Sequence, residues 1–114
     1  MKALDLFCGL GGWSRGLASE GFQVVGVDIV NIGYPYDLIL QDVKTLDGSH
    51  FKGFDVVVGS PPCRDFTILT HLGKFLWKTP PNIKQGLELV YAFLRVVKEV
   101  DPKYWLMENV PGLC

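Results

Sequence analysis

The sequence predicts an α/β fold in which helices cover a mostly parallel sheet. Short apolar segments rich in β-branched residues alternate with segments at helical spacing, and the joints between them are short. Right-handed crossovers between such segments make consecutive strands parallel. Each notable glycine-rich or polar cluster directly follows a predicted strand, and open parallel sheets bind ligands beyond the carboxyl ends of their strands. We therefore expect a single site along that edge of the sheet.

The first part of the chain predicts a strand, loop, helix, strand unit. Ala3–Phe7 and Val24–Val27 are short apolar runs, as buried parallel strands usually are. Between them, Trp13–Glu20 carries apolar and small residues at near-helical spacing, and Gly21 follows as a signal for the end of a helix.

The rest of the chain continues the same pattern. Leu38–Leu40 and Phe54–Val58 predict a third and a fourth strand, each followed by turn-forming residues. In Asn82–Val100 the apolar residues recur every three or four positions, which predicts a long amphipathic helix, and Tyr104–Met107 predicts a fifth strand. Because the chain stops soon afterwards, we expect the sheet to lack a further strand pair. The chain is then either a fragment or has its open edge covered by a partner.

The composition describes one soluble globular domain. Of the 114 residues, 48% are hydrophobic and 20% charged, and no apolar run approaches the roughly 18 residues that cross a bilayer. We expect a cytoplasmic protein, near the nucleoid in a bacterium or archaeon and nuclear in a eukaryote. The net charge of −1 excludes a stand-alone nucleic-acid-binding module. Cys8, Cys63 and Cys114 lack the spacing of a disulfide framework, and the positions of His50 and His71 complete no zinc motif, so no metal is expected.

Phe7–Gly12 is a glycine-rich turn between a predicted strand and a predicted helix. Such a turn is typical of a cofactor loop, because a ligand can approach backbone N–H groups where Cβ atoms are absent. Ser14 stands where a dinucleotide motif has its third glycine, which favours a smaller, adenosine-type cofactor. Asp28, about 20 residues after Gly9, closes the second strand, where an acid commonly binds ribose hydroxyls. Asp42 closes the third strand and can accept from an adenine amino group. The alternatives are a tight turn for the glycines and capping roles for the aspartates.

A second cluster, Ser60–Cys63, reads Ser-Pro-Pro-Cys directly after the fourth strand. The two prolines hold the cysteine on a stiff loop at the predicted site. Arg64 and a nearby helix N-terminus favour a reactive thiolate, and Asp65 opposes that effect. The alternative for a lone cysteine is a small buried hydrophobe.

Glu108 and Asn109 form a third cluster, at the end of the fifth strand. If the fourth and fifth strands are neighbours, this pair places a carboxyl and an amide beside Cys63. A buried carboxyl in such a place can donate a proton. The alternative is a capping or turn pair before Pro111.

Taken together, these segments resemble the cytosine-5 methyltransferases that use S-adenosylmethionine. The matches follow the family's order over nearly the whole chain: Asp5–Gly12, Val27–Ile29, Asp42–Val43, Gly59–Cys63 with Phe66–Thr67, and Glu108–Leu113. The resemblance implies a Rossmann-like S-adenosylmethionine-dependent methyltransferase fold, incomplete at its carboxyl end. Residues 1–114 are then the amino-terminal segment of the catalytic domain, without the target-recognition region.

The resemblance also implies roles for individual residues. Cys63 matches the nucleophile that attacks carbon 6 of cytosine, and Glu108, with Asn109 beside it, engages the ring nitrogen of a base flipped out of the helix. The residues implied to bind S-adenosylmethionine are Phe7, Gly9, Gly11, Gly12, Asp28, Ile29, Asp42, Val43 and Pro62. The departures from the family's usual residues are Arg64, Asp65 and Thr67.

The function that the resemblance implies is a DNA (cytosine-5-)-methyltransferase of a restriction-modification system, with DNA as its partner. Two alternatives stay open. Ser60–Cys63 with Phe66–Thr67 also resembles the transfer-RNA members, which act on RNA. The short length and near-neutral charge also suit a non-catalytic cofactor-binding subunit that associates with itself or with a complementing polypeptide. No membrane partner is expected, and the few phosphate contacts that a charge of −1 allows predict poor DNA methylation by this chain alone.

Overall fold

A computed structural model describes residues 1–61 and 83–108 of the chain. Five parallel strands form one sheet in the order β3-β2-β1-β4-β5. The strands are β1 (Lys2–Leu6), β2 (Gln23–Asp28), β3 (Asp37–Leu40), β4 (Val56–Gly59) and β5 (Tyr104–Met107). The helices are α1 (Gly12–Ser19), after β1, and α2 (Ile83–Val100), before β5, with short 3₁₀ turns at Val43–Thr45 and Gly48–Phe51.

The sheet separates two apolar clusters, because side chains alternate between its faces along each strand. On one face, α1 covers a small cluster formed by Ala3, Val56 and Val58 with Trp13, Leu17 and Phe22. On the other face, α2 covers the larger cluster, which includes Leu4, Leu6, Val27, Val57, Phe93, Val96 and Val100. Three of the four residues of β5, at one edge of this sheet, are exposed: Tyr104, Trp105 and Leu106.

The predicted elements are all present, with small differences at their ends. Phe7 was predicted in the first strand, but its φ of 57° turns the backbone out of the ladder, so that β1 ends at Leu6. Phe54 was predicted in the fourth strand, but its N–H donates to the carbonyl of Phe51, which closes a turn before β4 begins at Val56. The two 3₁₀ turns were not predicted.

The order of the strands in the sheet determines the position of its binding crevice. From β1 the chain runs outward to β2 and β3, and β4 then returns to the other side of β1. The crevice beyond the carboxyl ends of β1 and β4 is therefore the switch point at which open α/β sheets bind ligands. Of the described helices, neither α1 nor α2 is both long and apolar enough to cross a membrane.

Candidate active site

The glycine-rich loop after β1 has a left-handed backbone at three positions. Phe7, Gly9 and Gly11 have φ values of 57°, 53° and 90°. Glycine adopts this conformation freely, whereas a side chain such as that of Phe7 costs roughly 1–2 kcal/mol there. The Cys8 N–H donates to the carbonyl of Val27 at 3.2 Å, and the Gly11 N–H donates to the carbonyl of Cys8 at 2.8 Å. The loop is thus tied to the end of β2.

Asp28, at the end of β2, holds this loop through its carboxylate. Oδ2 accepts from the Gly9 N–H at 2.9 Å, and Oδ1 accepts from the Ile29 N–H at 2.7 Å. Each carboxylate oxygen has a further lone pair with which it can accept from a ligand hydroxyl. Gly12 has open space at its Cβ position, so the first turn of α1 also leaves room for a ligand. Asp28 can therefore accept hydrogen bonds from the hydroxyl groups of a ligand that lies beside the loop.

A buried chain of hydrogen bonds supports the loop from below. The Ser14 hydroxyl donates to Asp5 Oδ2 at 2.6 Å and lies 2.7 Å from the Tyr34 hydroxyl. The Tyr34 ring packs so closely over Gly11 and Gly26 that a Cβ would stand 3.0 Å from it at Gly11 and 2.6 Å at Gly26. Burial raises the pKa of Asp5 to about 6 and that of Tyr34 to about 12. Tyr34 is therefore neutral and completes the packing of the loop.

Asp42 caps the first 3₁₀ turn, which agrees with the alternative prediction of a capping role. Its Oδ1 accepts from the Lys44 N–H at 2.9 Å. Val43 is buried in the large cluster. Arg95, on α2, stabilises the 3₁₀ turn by donating to the carbonyl oxygens of Val43 and Leu46, at 3.0 and 2.8 Å. The Asp42 carboxylate stays partly exposed, so it can still accept from a ligand.

An open cavity of about 330 Å³ lies at the switch point. It is lined by Phe7, Cys8, Gly12, Trp13, Ser60 and Glu108. Glu108 lies one residue beyond β5, and its N–H donates to the carbonyl of Gly59 at 2.9 Å. The predicted neighbourhood of the fourth and fifth strands is thus confirmed, and it brings Glu108 beside Ser60.

The three cysteines differ in what can be said of them. Burial raises the pKa of the Cys8 thiol to about 12, so Cys8 is protonated at neutral pH and is a poor nucleophile. Cys63, Pro62 and Asn109 lie outside the described residues. So do Arg64 and Asp65, on which the expected reactivity of Cys63 depends, and Cys114. Within the described ranges, no group of three or more His, Cys, Asp or Glu side chains could hold a metal ion.

Several residues that build the site could not be identified from the sequence. Ser14 appeared only as the residue that breaks a glycine motif, but it hydrogen-bonds Asp5 and Tyr34. Trp13 appeared only as part of a helix, but it lines the cavity. Tyr34 and Arg95 had no signal, because their partners are far from them in sequence. Only the folded chain brings these contacts together.

Comparison with known proteins places the chain in a family. The family model described as C-5 cytosine-specific DNA methylase matches residues 1–114. Type II methyltransferase M1.HphI of Haemophilus parahaemolyticus is 34% identical over 96% of this chain, which corresponds to 32% of that protein. The chain thus spans about a third of the length of this relative.

Solved structures show the same fold. The PH0226 protein of Pyrococcus horikoshii OT3 has a TM-score of 0.62 and 26% identity, covering 96% of this chain and 46% of that one. Magnesium protoporphyrin IX methyltransferase of Synechocystis PCC 6803, solved with bound SAM, has a TM-score of 0.50 and 20% identity, covering 82% of this chain and 43% of that one. The parallel sheet is thus that of a Rossmann-like methyltransferase. Because the family model covers its whole length, the chain belongs to the C-5 cytosine-specific DNA methylase family.

Proposed function

We propose that this chain binds S-adenosylmethionine and carries the groups that activate cytosine, as the amino-terminal segment of a DNA (cytosine-5-)-methyltransferase catalytic domain. The observation that carries the proposal is the meeting of two features at the switch point. The loop held by Asp28 fits the adenosine end of the cofactor. Glu108 lines the adjoining cavity, where it can meet a base.

Each residue of the cofactor site has a physical role in this proposal. Asp28 accepts from the ribose hydroxyls, and Ile29 and Phe7 offer apolar surface beside them. Gly9, Gly11 and Gly12 let the ligand approach the backbone because they carry no Cβ. Asp42 accepts from the adenine amino group, Val43 supports that contact, and Pro62 flanks the ligand. When bound, the cofactor supplies an electrophilic methyl group.

The protein must make carbon 5 of cytosine nucleophilic. We assign this step to Cys63, whose thiolate forms a bond from sulfur to carbon 6 and so shifts an electron pair toward carbon 5. Glu108 hydrogen-bonds the ring nitrogen and stabilises the charge that develops there, with Asn109 beside it. After methyl transfer to carbon 5, the proton on that carbon is lost, the sulfur–carbon bond breaks and the thiolate is released. The base must leave the DNA stack to enter the cavity.

The cofactor half of the proposal is tested by calorimetric titration of the chain with S-adenosylhomocysteine. Asp28→Asn should weaken binding by at least about tenfold, because a charged acceptor for the ribose is lost. Asp37→Asn is a matched control, since Asp37 is an exposed aspartate at the start of β3, away from the carboxyl edge. Equal affinity in the wild type and Asp28→Asn would remove Asp28 from the site.

The base half is tested by trapping the protein, in its full length, on DNA that contains 5-fluorocytosine. Fluorine cannot leave as a proton does, so the covalent adduct should persist, and peptide mapping should locate it on Cys63. Cys63→Ser should form no adduct, whereas Cys8→Ser should still form one. An adduct that survives Cys63→Ser contradicts the assignment, and methyl transfer to transfer RNA in place of DNA contradicts the substrate.

A further inference from the structure

Three side chains from separate parts of the sequence form a chain of hydrogen bonds across the cavity. The Trp13 indole Nε1–H donates to Ser60 Oγ at 3.0 Å. The Ser60 hydroxyl in turn donates to Glu108 Oε2 at 3.5 Å. The three residues stand on the first turn of α1 and just beyond the ends of β4 and β5. This series of hydrogen bonds therefore connects the residue that follows the glycine-rich loop with the carboxylate of Glu108.

The direction of these bonds follows from the chemistry of the groups. An indole N–H can only donate, and a serine hydroxyl has one proton. Because Ser60 accepts from Trp13, its proton is left to point at Glu108. A carboxylate accepts, so all three groups are used in the sense that their chemistry allows.

The two supporting residues are fixed better than the carboxylate that they reach. The Trp13 ring packs against the cluster that includes Ala3 and Val56, and Ser60 lies half-buried between Gly59 and the buried Pro61. Glu108 is exposed, and its backbone N–H donates to the carbonyl of Gly59, whereas its side chain has only the long bond from Ser60 among the described residues. A free glutamate side chain samples many rotamers, and restricting it to one is entropically unfavourable. A donor held in place can select the rotamer that faces the cavity.

We propose that Trp13 and Ser60 are positioning residues for Glu108. This inference rests on the proposed function, in which Glu108 engages the cytosine ring. The bond of 3.5 Å is long, as hydrogen bonds in a catalytic site often are before a substrate is present, and it shortens when the base enters. Because Trp13 directly follows Gly12 of the cofactor loop, the same chain of bonds couples the cofactor side of the cavity to the base side.

The kinetic test uses the full-length protein and methyl transfer to DNA. Ser60→Ala and Trp13→Phe each break the chain of bonds and should lower kcat about tenfold. The KM for S-adenosylmethionine should stay within about twofold of the wild-type value, because the glycine-rich loop and Asp28 can still contact the cofactor. Ser60→Thr keeps the hydroxyl and should restore most of kcat. As a control, Trp105→Phe makes the same change on β5, beside Phe93, and should leave kcat unchanged.

A double variant tests whether the residues act in series. If Trp13 acts only through Ser60, then Trp13→Phe combined with Ser60→Ala should be no slower than Ser60→Ala alone. Independent packing effects would instead multiply. A product of the two single losses would therefore overturn the proposal.

An NMR signal of the 114-residue chain gives a readout that does not depend on turnover. The indole N–H of Trp13 should shift upfield in Ser60→Ala and return in Ser60→Thr. Glu108→Gln should also move this signal, because it changes the acceptor at the far end of the same chain of bonds. An indole signal that is unmoved in Ser60→Ala overturns the proposed contact.

These outcomes separate the inference from the function on which it rests. If Glu108→Gln keeps full activity, the proposed role of Glu108 is wrong. If Glu108→Gln abolishes turnover while Ser60→Ala and Trp13→Phe match the wild type, the proposed function stands and the positioning role is wrong.

Discussion

Asp5 gives this fold a pH dependence that one substitution should remove. Its side chain is 1% exposed, Oδ2 accepts from Ser14, and Oδ1 is buried without a hydrogen-bond partner among the described residues. Burial raises the pKa of Asp5 from 3.8 to about 6, against the effect of the hydrogen bonds from Ser14, and the nearby charge of Asp28 adds to the rise. The carboxylate is therefore held in its charged form at a cost to the folded state at neutral pH.

The sign follows from which state binds the proton more tightly. The folded-state pKa lies above the unfolded value, so the stability that the protonated Asp5 contributes is fully present below about pH 3.8 and is lost as the pH rises through about 6. The rise of the Asp5 pKa from 3.8 to about 6 corresponds to a difference of about 3 kcal/mol in the free energy of unfolding. Between about pH 4 and pH 7, the free energy of unfolding should lose about 2 kcal/mol of this contribution.

Asp5→Asn keeps the shape of the side chain and an acceptor for Ser14 but cannot ionise. The difference in unfolding free energy between variant and wild type should therefore move by about 2 kcal/mol in favour of the variant from about pH 4 to pH 7. Urea unfolding followed by circular dichroism at both pH values measures it. Asp47→Asn is the control at an exposed aspartate: hydrogen bonds from Ser49 lower the pKa of Asp47 below 3.8, so its effect falls at lower pH and its difference from the wild type should stay nearly constant between pH 4 and pH 7. If wild type and Asp5→Asn kept a constant difference over this range, the burial argument would be refuted.

Other substitutions test the packing around the site, each by urea unfolding. Arg95→Ala strips donors from carbonyl oxygens of the first 3₁₀ turn and should lower the free energy of unfolding by about 1–3 kcal/mol; no loss would show that water replaces those bonds. Gly59→Ala places a Cβ 2.6 Å from the Phe93 ring and should cost about 1–3 kcal/mol. Gly16→Ala, where nothing lies within 4 Å, should stabilise α1 by about 0.5–1 kcal/mol, so the two alanines should act in opposite directions. Tyr34→Phe removes only the hydroxyl from the buried network and should lower the free energy of unfolding by about 1–3 kcal/mol, more than the same change at a surface tyrosine.

The fold could be predicted because its signals are local. Strand, turn and helix each appear in a few consecutive residues, so the order of elements and the parallel sheet followed from the sequence. The ends of elements were less well predicted, because Phe7 leaves β1 for a left-handed conformation that its residue type disfavours. The next residue, Cys8, donates to the carbonyl of Val27 on β2, and this contact cannot be read from the local sequence.

The site was predicted in part for the same reason. Asp28 and Glu108 follow strands directly, and their placement at the carboxyl edge is confirmed, although their roles stay predictions. Tyr34 could not be found, because its partner Ser14 is 20 residues away and no motif joins them. Trp13 looked like an ordinary core residue, because its ring packs against an apolar cluster and only the ring nitrogen contacts Ser60.

The supporting network explains how a strained loop can have a defined shape. A left-handed Phe7 is unfavourable by itself, and glycines at Gly9 and Gly11 leave the unfolded loop especially free. Asp28 fixes one side of the loop through the Gly9 N–H, and the Tyr34 ring closes the other side over Gly11. A ligand that binds a loop already ordered in this way pays less conformational entropy. Tyr34→Ala removes this ring, so weakening of cofactor binding in that variant would measure how much of the affinity comes from the ordered loop itself.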